Sequence, residues 1–283
     1  MSENGYKRIT VNPLSGCVGA EIGGVNLSDV DDETFAEIHR AFLAHLVIFF
    51  RGQTLDDDGL LALSNRFGPP FRHPNFIPDP DRPEIVRIRT EPDDVKIVGV
   101  EWHTDTTCMR EPPLGAVLYA IETPPVGGDT LFANQYAAYE SLSPAYQEML
   151  SQMTAVHSDR RVAGPRSGVS GGRTSKVRED TEWTETLNHH PVVRTHPETG
   201  RKGLFVNRAY TVQFTDMTEA ESAPILEQLL QHAARPEFTC RFSWKRGSVA
   251  IWDNRCLMHI AIHDYAGHRR EMHRVQIAGD RPQ

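Results

Sequence analysis

His103 and Asp105 stand two residues apart in Glu101-Trp102-His103-Thr104-Asp105-Thr106. A second imidazole, His259, closes the downstream segment Ile251-Trp252-Asp253-Asn254-Arg255-Cys256-Leu257-Met258-His259. In an extended strand, alternate side chains share a face, so His103 and Asp105 project together. One imidazole and one carboxylate placed this way can grip adjacent corners of a metal's coordination sphere. With His259 added, two His and one carboxylate make the facial set of non-haem Fe(II) oxygenases, which leaves three of six positions open. A bidentate 2-oxo acid would fill two and dioxygen the third. Alone, the His-x-Asp pair reads as an edge-strand pair facing solvent, so the weight rests on His259.

A five-carbon 2-oxo dicarboxylate bound in that way leaves its far carboxylate in protein, where it needs a paired cation. Arginine suits this best, because its planar fork donates two parallel hydrogen bonds. Arg270 follows eleven residues after His259 and fits the role, with Thr130 as a further hydroxyl donor. The competing reading of Arg270 is a surface residue in a basic run with Arg269 and Arg274. If Arg270–Ile277 is a strand, Arg270 and Arg274 share a face with Met272 between them. Their Cα atoms are then roughly 13 Å apart, four steps of about 3.3 Å. One guanidinium can hold a cosubstrate while the other reaches a different anion.

Strands dominate the elements that must position these residues. They are expected at Ile9–Val11, Leu46–Arg51, Ile85–Arg89, Ala116–Ile121, Thr130–Ala133, Val192–Thr195, Leu204–Val206, Phe238–Trp244, Val249–Trp252 and Arg274–Ile277. Turn residues such as Gly127-Gly128-Asp129 and Lys245-Arg246-Gly247 punctuate them, which suggests a barrel or sandwich. Three helices are expected. One runs from Asp32 to His45 with Phe35, Ile38 and Phe42 on one face. Another starts at Ser143-Pro144. The third starts at the capping box Thr218-Glu219-Ala220-Glu221, with Pro224 early in its course. Asp56-Asp57-Asp58 reads as a helix N-terminus. Gly164–Glu185, rich in Gly, Ser, Arg, Thr and Glu, reads as a lid over the substrate. No repeat or second composition shift divides the chain, so one domain spanning 1–283 is expected.

Composition narrows the class. The 283 residues carry a formal charge of −8, with 39% hydrophobic and 24% charged residues, an ordinary globular mixture. Net acidity argues against non-specific binding to nucleic acid or anionic lipid. Apolar runs such as Leu46–Phe50 are far shorter than the ~20 residues of a spanning helix. The first residues lack the pattern of a secretory leader. Cys17, Cys108, Cys240 and Cys256 form no CxxC pair and read as free thiols of a reducing cytoplasm. His189, His190 and His196 read as strand residues with no carboxylate partner, and Trp102 and Trp252 as core.

Along almost its whole length the chain resembles the taurine dioxygenase family of Fe(II)/2-oxoglutarate-dependent dioxygenases, which also includes the phenoxyalkanoate dioxygenases. The resemblance is carried by Gly19-Ala20-Glu21-Ile22, Phe50-Arg51-Gly52-Gln53, Trp102-His103-Thr104-Asp105 and Gly127-Gly128-Asp129-Thr130. It continues through His190–Pro197, Leu204-Phe205-Val206-Asn207, Trp252-Asp253-Asn254-Arg255 and Met272-His273-Arg274. It implies a mainly β double-stranded β-helix (jelly roll) with flanking helices. By the same analogy His103, Asp105 and His259 bind iron, and Thr130 and Arg270 bind 2-oxoglutarate. His73 and Arg274 would hold the substrate's anionic group, with Phe76 and Thr106 at further substrate positions. The implied reaction consumes O2 and 2-oxoglutarate, gives succinate and CO2, and hydroxylates a small anionic substrate such as a taurine-like organosulfonate. Partners of that kind, and assembly as a homo-oligomer, complete the expectation.

Two departures bear on the substrate. Taurine dioxygenases carry Tyr at the position of Phe76 and Asn at that of Gly99. A pocket with fewer polar donors should recognise a small amino-sulfonate less well. Phe238-Thr239-Cys240-Arg241 and Tyr265-Ala266-Gly267 resemble the phenoxyalkanoate branch instead. Alkyl sulfates and aryloxyalkanoates are therefore alternative substrates. Two other classes fit less of the pattern. A zinc hydrolase on the same triad leaves Arg270 and Thr130 without a task, and a binding-only jelly roll leaves the whole ligand set idle.

Overall fold

The computed structural model describes residues 5–163, 167, 171–175 and 183–283. Its main sheet runs in the order Thr10–Pro13, Ala20–Gly23, Val47–Phe50, Val249–Asp253, Gly115–Glu122, Arg270–Ile277 and Pro70–Phe71. Ile85–Thr90 also pairs with Arg270–Ile277. Apart from the parallel pair Ala20–Gly23 and Val47–Phe50, its pairings are antiparallel. A second, smaller sheet places Thr130–Asn134 between Thr239–Phe242 and Leu257–Ala261.

Both faces of the main sheet are covered, and the two-residue period of its strands sorts side chains between two cores. Ile48, Phe50, Val117, Tyr119, Val249, Ile251, Val275 and Ile277 face an outer core shared with Ile38 and Phe42 of helix Asp32–His45 and Leu60 and Leu63 of helix Asp57–Asn65. Their neighbours Val47, Phe49, Ala116, Leu118, Ala250, Trp252 and Met272 face inward, against Phe132 and Phe242 of the smaller sheet. Phe49 stacks on Phe242 with centroids 3.9 Å apart. Two sheets packed face to face with a shared interior agree with the expected jelly roll.

A third core lies under helix Glu219–Ala233, against the sheet Thr211–Phe214, Thr154–Ser158, Leu187–Pro191. The capping box expected at Thr218 and Glu221 is present, and the helix continues through Pro224. Pro224 lies within the helix's first two turns, where its missing N–H takes the intrahelical partner from the Ala220 carbonyl alone. Helices Asp32–His45 and Pro144–Ser151 also start where expected, and Asp56 caps Asp57–Asn65. The short helix Gln135–Glu140, capped by Asn134, and the strand Leu257–Ala261 were not anticipated. Of the expected lid, residues 164–166, 168–170 and 176–182 lie outside the described residues.

Candidate metal centre

Backbone pairing brings the two imidazoles together. His103 and His259 form an isolated antiparallel bridge, with each N–H donating to the other's carbonyl at 3.0 and 2.8 Å. Opposed residues of such a pair present side chains on one face, and the rings lie 4.1 Å apart. The expected strand through Asp105 is corrected: beyond His103 the chain turns, and Thr106 takes a left-handed φ of 50°. Alternation along a strand therefore does not explain the convergence; the turn swings Asp105 beneath the two rings. Asp105 Oδ1 lies 3.8 Å from His103 Nε2 and 3.9 Å from His259 Nε2. The three residues each offer one ligand atom, all within 4.8 Å of one another.

The donor chemistry of this group fits a divalent cation. His103 Nδ1 donates to the Glu101 carbonyl at 2.7 Å, which fixes the tautomer and leaves the Nε2 lone pair facing Asp105. Burial lowers the pKa of His103 despite Asp105, and burial and then His103 push that of His259 well down, so both rings are neutral. Burial raises the Asp105 carboxyl, but the positive charge of Arg274, 3.2 Å from its Oδ1, leads the effects that outweigh burial and hold the group well below the usual carboxylate range. Two neutral nitrogens and a buried carboxylate are the ligand state a metal requires. Asp105 Oδ2 accepts from Asn254 Nδ2 at 3.3 Å, a contact that no spacing in the chain announces.

Arg270, Met272 and Arg274 share the inward face of their strand, as alternation requires. Arg270 is buried rather than on the surface, and no carboxylate among the described residues forms an ion pair with it. Its Nε is buried without a hydrogen-bond partner there, and its guanidinium lies 5.9 Å from the Trp244 ring centre. Trp244 Nε1 in turn donates to Thr130 Oγ1 at 2.9 Å. Thr130 and Arg270 thus meet on Trp244, a residue that sequence spacing alone does not mark.

A cavity of about 350 Å³ opens beside the triad, bordered by His73, Phe76, His103, Asp105 and Arg274. Its remaining wall is largely apolar, with Ile97, Val98, Val100, Val162, Ala209 and Tyr210, and also carries Lys96 and Arg161. Arg274 Nη1 donates to Asp105 Oδ1 at 3.2 Å, and its guanidinium lies 5.6 Å from the Phe76 ring centre. Burial and then Arg274 lower the pKa of His73 to about 3. Its Nδ1 accepts from the backbone N–H groups of Asn75 and Phe76, so Nε2 carries the proton. Thr106 is fully buried behind Asp105 and does not border the cavity. Ser167 and Arg173, within the expected lid span, do border it.

Other histidines keep structural roles, with one correction. His196, read as lacking a carboxylate partner, donates from Nε2 to Asp253 at 3.0 Å, while its Nδ1 accepts from the Glu198 and Thr199 backbone. Asp253 also receives Arg255 through both of its oxygens. With Cys256 these residues form the second His/Cys/Asp group close enough for a metal. The Arg255 guanidinium already occupies that carboxylate, so the group is a buried ion-pair network.

Comparison with known proteins agrees with this arrangement. Residues 10–276 match the model of the family described as "Taurine catabolism dioxygenase TauD, TfdA family". An alkylsulfatase of Acinetobacter baylyi is 34% identical over 98% of this chain and 87% of its own. An alpha-ketoglutarate-dependent sulfate ester dioxygenase of Pseudomonas putida is 35% identical over 97% of this chain and 91% of its own. The crystal structure of a taurine dioxygenase from Burkholderia xenovorans superposes with a TM-score of 0.80 at 35% identity, covering 98% of this chain and 93% of that one. Sequence, fold and site geometry therefore agree, and the chain belongs to the TauD/TfdA dioxygenase family.

Proposed function

We propose that this dioxygenase uses Fe(II), 2-oxoglutarate and O2 to oxidise the carbon beside the ester oxygen of an alkyl sulfate. The products are an aldehyde, sulfate, succinate and CO2. His103, Asp105 and His259 would hold the iron, which when bound supplies dioxygen activation coupled to decarboxylation of the 2-oxo acid. The protein supplies placement. Thr130 Oγ1 accepts from Trp244, so its own proton is free for the far carboxylate of 2-oxoglutarate beside Arg270. Arg274 and the Nε2–H of His73 form a cationic corner for the sulfate. The span 1–283 would act as one catalytic domain, with Ser167 and Arg173 in a covering segment.

The observation that carries the substrate class is the pairing of that corner with an apolar wall. Among the described residues, two carboxylates border the cavity, Asp105 and Glu101. Asp105 belongs to the triad, and Glu101 lies 3.9 Å from Arg208. Among the described residues, a taurine ammonium would find only the half-exposed Glu101 beside the triad's own acid, whereas a hydrocarbon tail meets Ile97, Val98, Val162 and Ala209. The alkylsulfatase and the sulfate ester dioxygenase among the chain's relatives support the same choice over a small amino-sulfonate. Aryloxyalkanoates share an anion and an apolar body and remain the second reading. The test is 2-oxoglutarate consumption, with sulfate release, across hexyl sulfate, hexanesulfonate, taurine and both aryloxypropionate enantiomers. The reading requires kcat/KM for hexyl sulfate to exceed that for taurine by at least about tenfold, a difference of about 1.4 kcal/mol; a preference for taurine overturns it.

A further inference from the structure

We propose that Asn254 is a positioning residue that fixes the Asp105 carboxylate so that one oxygen faces the metal position and the other is held away from it. This rests on the reading of Asp105 as a metal ligand. Asn254 sits in the turn between strands Val249–Asp253 and Leu257–Ala261, and the second of these carries His259. It is 1% exposed, so its amide must find partners within the protein.

The orientation of that amide follows from its neighbours. Trp252 Nε1 donates to Asn254 Oδ1 at 2.9 Å. An indole N–H can only donate, so the oxygen must face Trp252 and the NH2 must face the other way. Nδ2 then donates to Asp105 Oδ2 at 3.3 Å, while Asn254 Oδ1 also accepts from the Asp105 N–H at 3.5 Å. Oδ1 of the same carboxylate faces His103 and His259. Trp252, Asn254 and Asp105 therefore form a directed chain from the core to the triad. It ends on the oxygen that does not face the imidazoles.

The backbone under Asn254 is held on both sides. Its N–H donates to the Leu114 carbonyl at 2.8 Å. The adjacent Asp253 is locked by His196 and by the two-oxygen grip of Arg255. That network, which the reaction does not otherwise use, sets the turn from which Asn254 reaches across to the other ligand-bearing segment. With Oδ2 engaged, Asp105 occupies one coordination position and leaves the open ones for cosubstrate and dioxygen. Without the amide, the carboxylate, still held at Oδ1 by Arg274, can rotate and offer both oxygens to the metal.

The experiment is a Mn(II) titration followed by electron paramagnetic resonance on the full chain, for the parent, Asn254→Ala and Trp252→Phe. Asp105→Ala serves as the reference for loss of the site. Loss of an outer partner of this kind lowers metal affinity by about 10–100-fold, which is the fall expected for Asn254→Ala. Trp252→Phe, which removes the donor that orients the amide, should weaken binding by a smaller factor. With hexyl sulfate present, both variants should consume more 2-oxoglutarate per aldehyde formed than the parent. If Asn254→Ala misfolds, Trp252→Phe carries the test alone. Mn(II) affinity within twofold of the parent in both variants, with unchanged coupling, overturns the proposal. Failure of the parent itself to bind Mn(II), or parent-like binding by Asp105→Ala, overturns instead the ligand assignment on which it rests.

Discussion

Arg274 Nη1 lies 3.2 Å from Asp105 Oδ1, so the cation assigned to the substrate anion rests on the carboxylate assigned to the metal. The two are buried together, at 5% and 3% exposure. Breaking such a pair from one side destabilises by about 3–5 kcal/mol, because a buried charge is left alone. Arg274→Leu should therefore lower the melting temperature of the metal-free protein, and Mn(II) should raise it more in the variant than in the parent. Turnover of every anionic substrate should fall by at least about 100-fold, the loss of about 3 kcal/mol of charge-assisted bonding. Thermal shifts with and without Mn(II), beside kcat/KM, check both. Normal turnover in the variant would remove Arg274 from the substrate site.

The 2-oxoglutarate assignment predicts a split between KM and kcat. Arg270→Met should raise the KM for 2-oxoglutarate by at least about tenfold, since each charge-assisted bond contributes about 1.5–3 kcal/mol. Trp244→Phe removes only the donor to Thr130 and should raise it a few-fold. Neither should change the KM for the sulfate ester. Steady-state kinetics with each substrate varied in turn makes the comparison.

Acid stability follows from buried neutral histidines. Burial, outweighing backbone hydrogen bonds, lowers His190 from 6.5 to about 4, and burial pushes His157 well down too. The unfolded chain then binds more protons than the native one below pH 6.5. Their contribution is full above pH 6.5 and is lost as pH falls through the folded values. For His190 the 2.5-unit difference corresponds to about 3 kcal/mol, at about 1.36 kcal/mol per unit. Urea unfolding of His190→Gln across pH 4 to 7 should show a shallower slope than the parent. An equal slope would mean that His190 is not buried neutral.

Gly99 takes a φ of 82°, and a Cβ there would lie 3.2 Å from His103 Cε1. Gly99→Ala therefore strains the backbone by about 1 kcal/mol and presses on a ligand ring. Mn(II) affinity should fall by a few-fold while the melting temperature moves only a few degrees. Calorimetric titration against a thermal melt separates the two effects.

Much of the site was legible because the chemistry demands particular residue types. The His-x-Asp spacing, His259 and Arg270 stand out by type, and Arg270–Ile277 alternates as a strand should. What placed Asp105 was not legible. Thr106 is β-branched and disfavours positive φ, so nothing in its type announced the turn that replaces the expected strand. Trp244 and Asn254 act through hydrogen bonds to residues 114 and 149 positions away, separations at which a side chain's partner leaves no local pattern. The strand Leu257–Ala261 was hidden because the segment before it reads as one motif, although it turns at Asn254–Cys256. The strands of the main sheet were legible for a different reason, although which of their residues face inward was not. Both faces are buried, and runs such as Val47–Phe50 are apolar throughout.

The central claim is that His103, Asp105 and His259 together hold the metal that binds the 2-oxo acid. Anaerobic titration of the protein with Fe(II) and then 2-oxoglutarate tests it most directly. A weak visible charge-transfer band should appear in the parent, saturate at one equivalent per chain, and be absent from His103→Ala, Asp105→Ala and His259→Ala. A band of parental intensity in any of the three, or none in the parent with Fe(II) bound, would contradict the account.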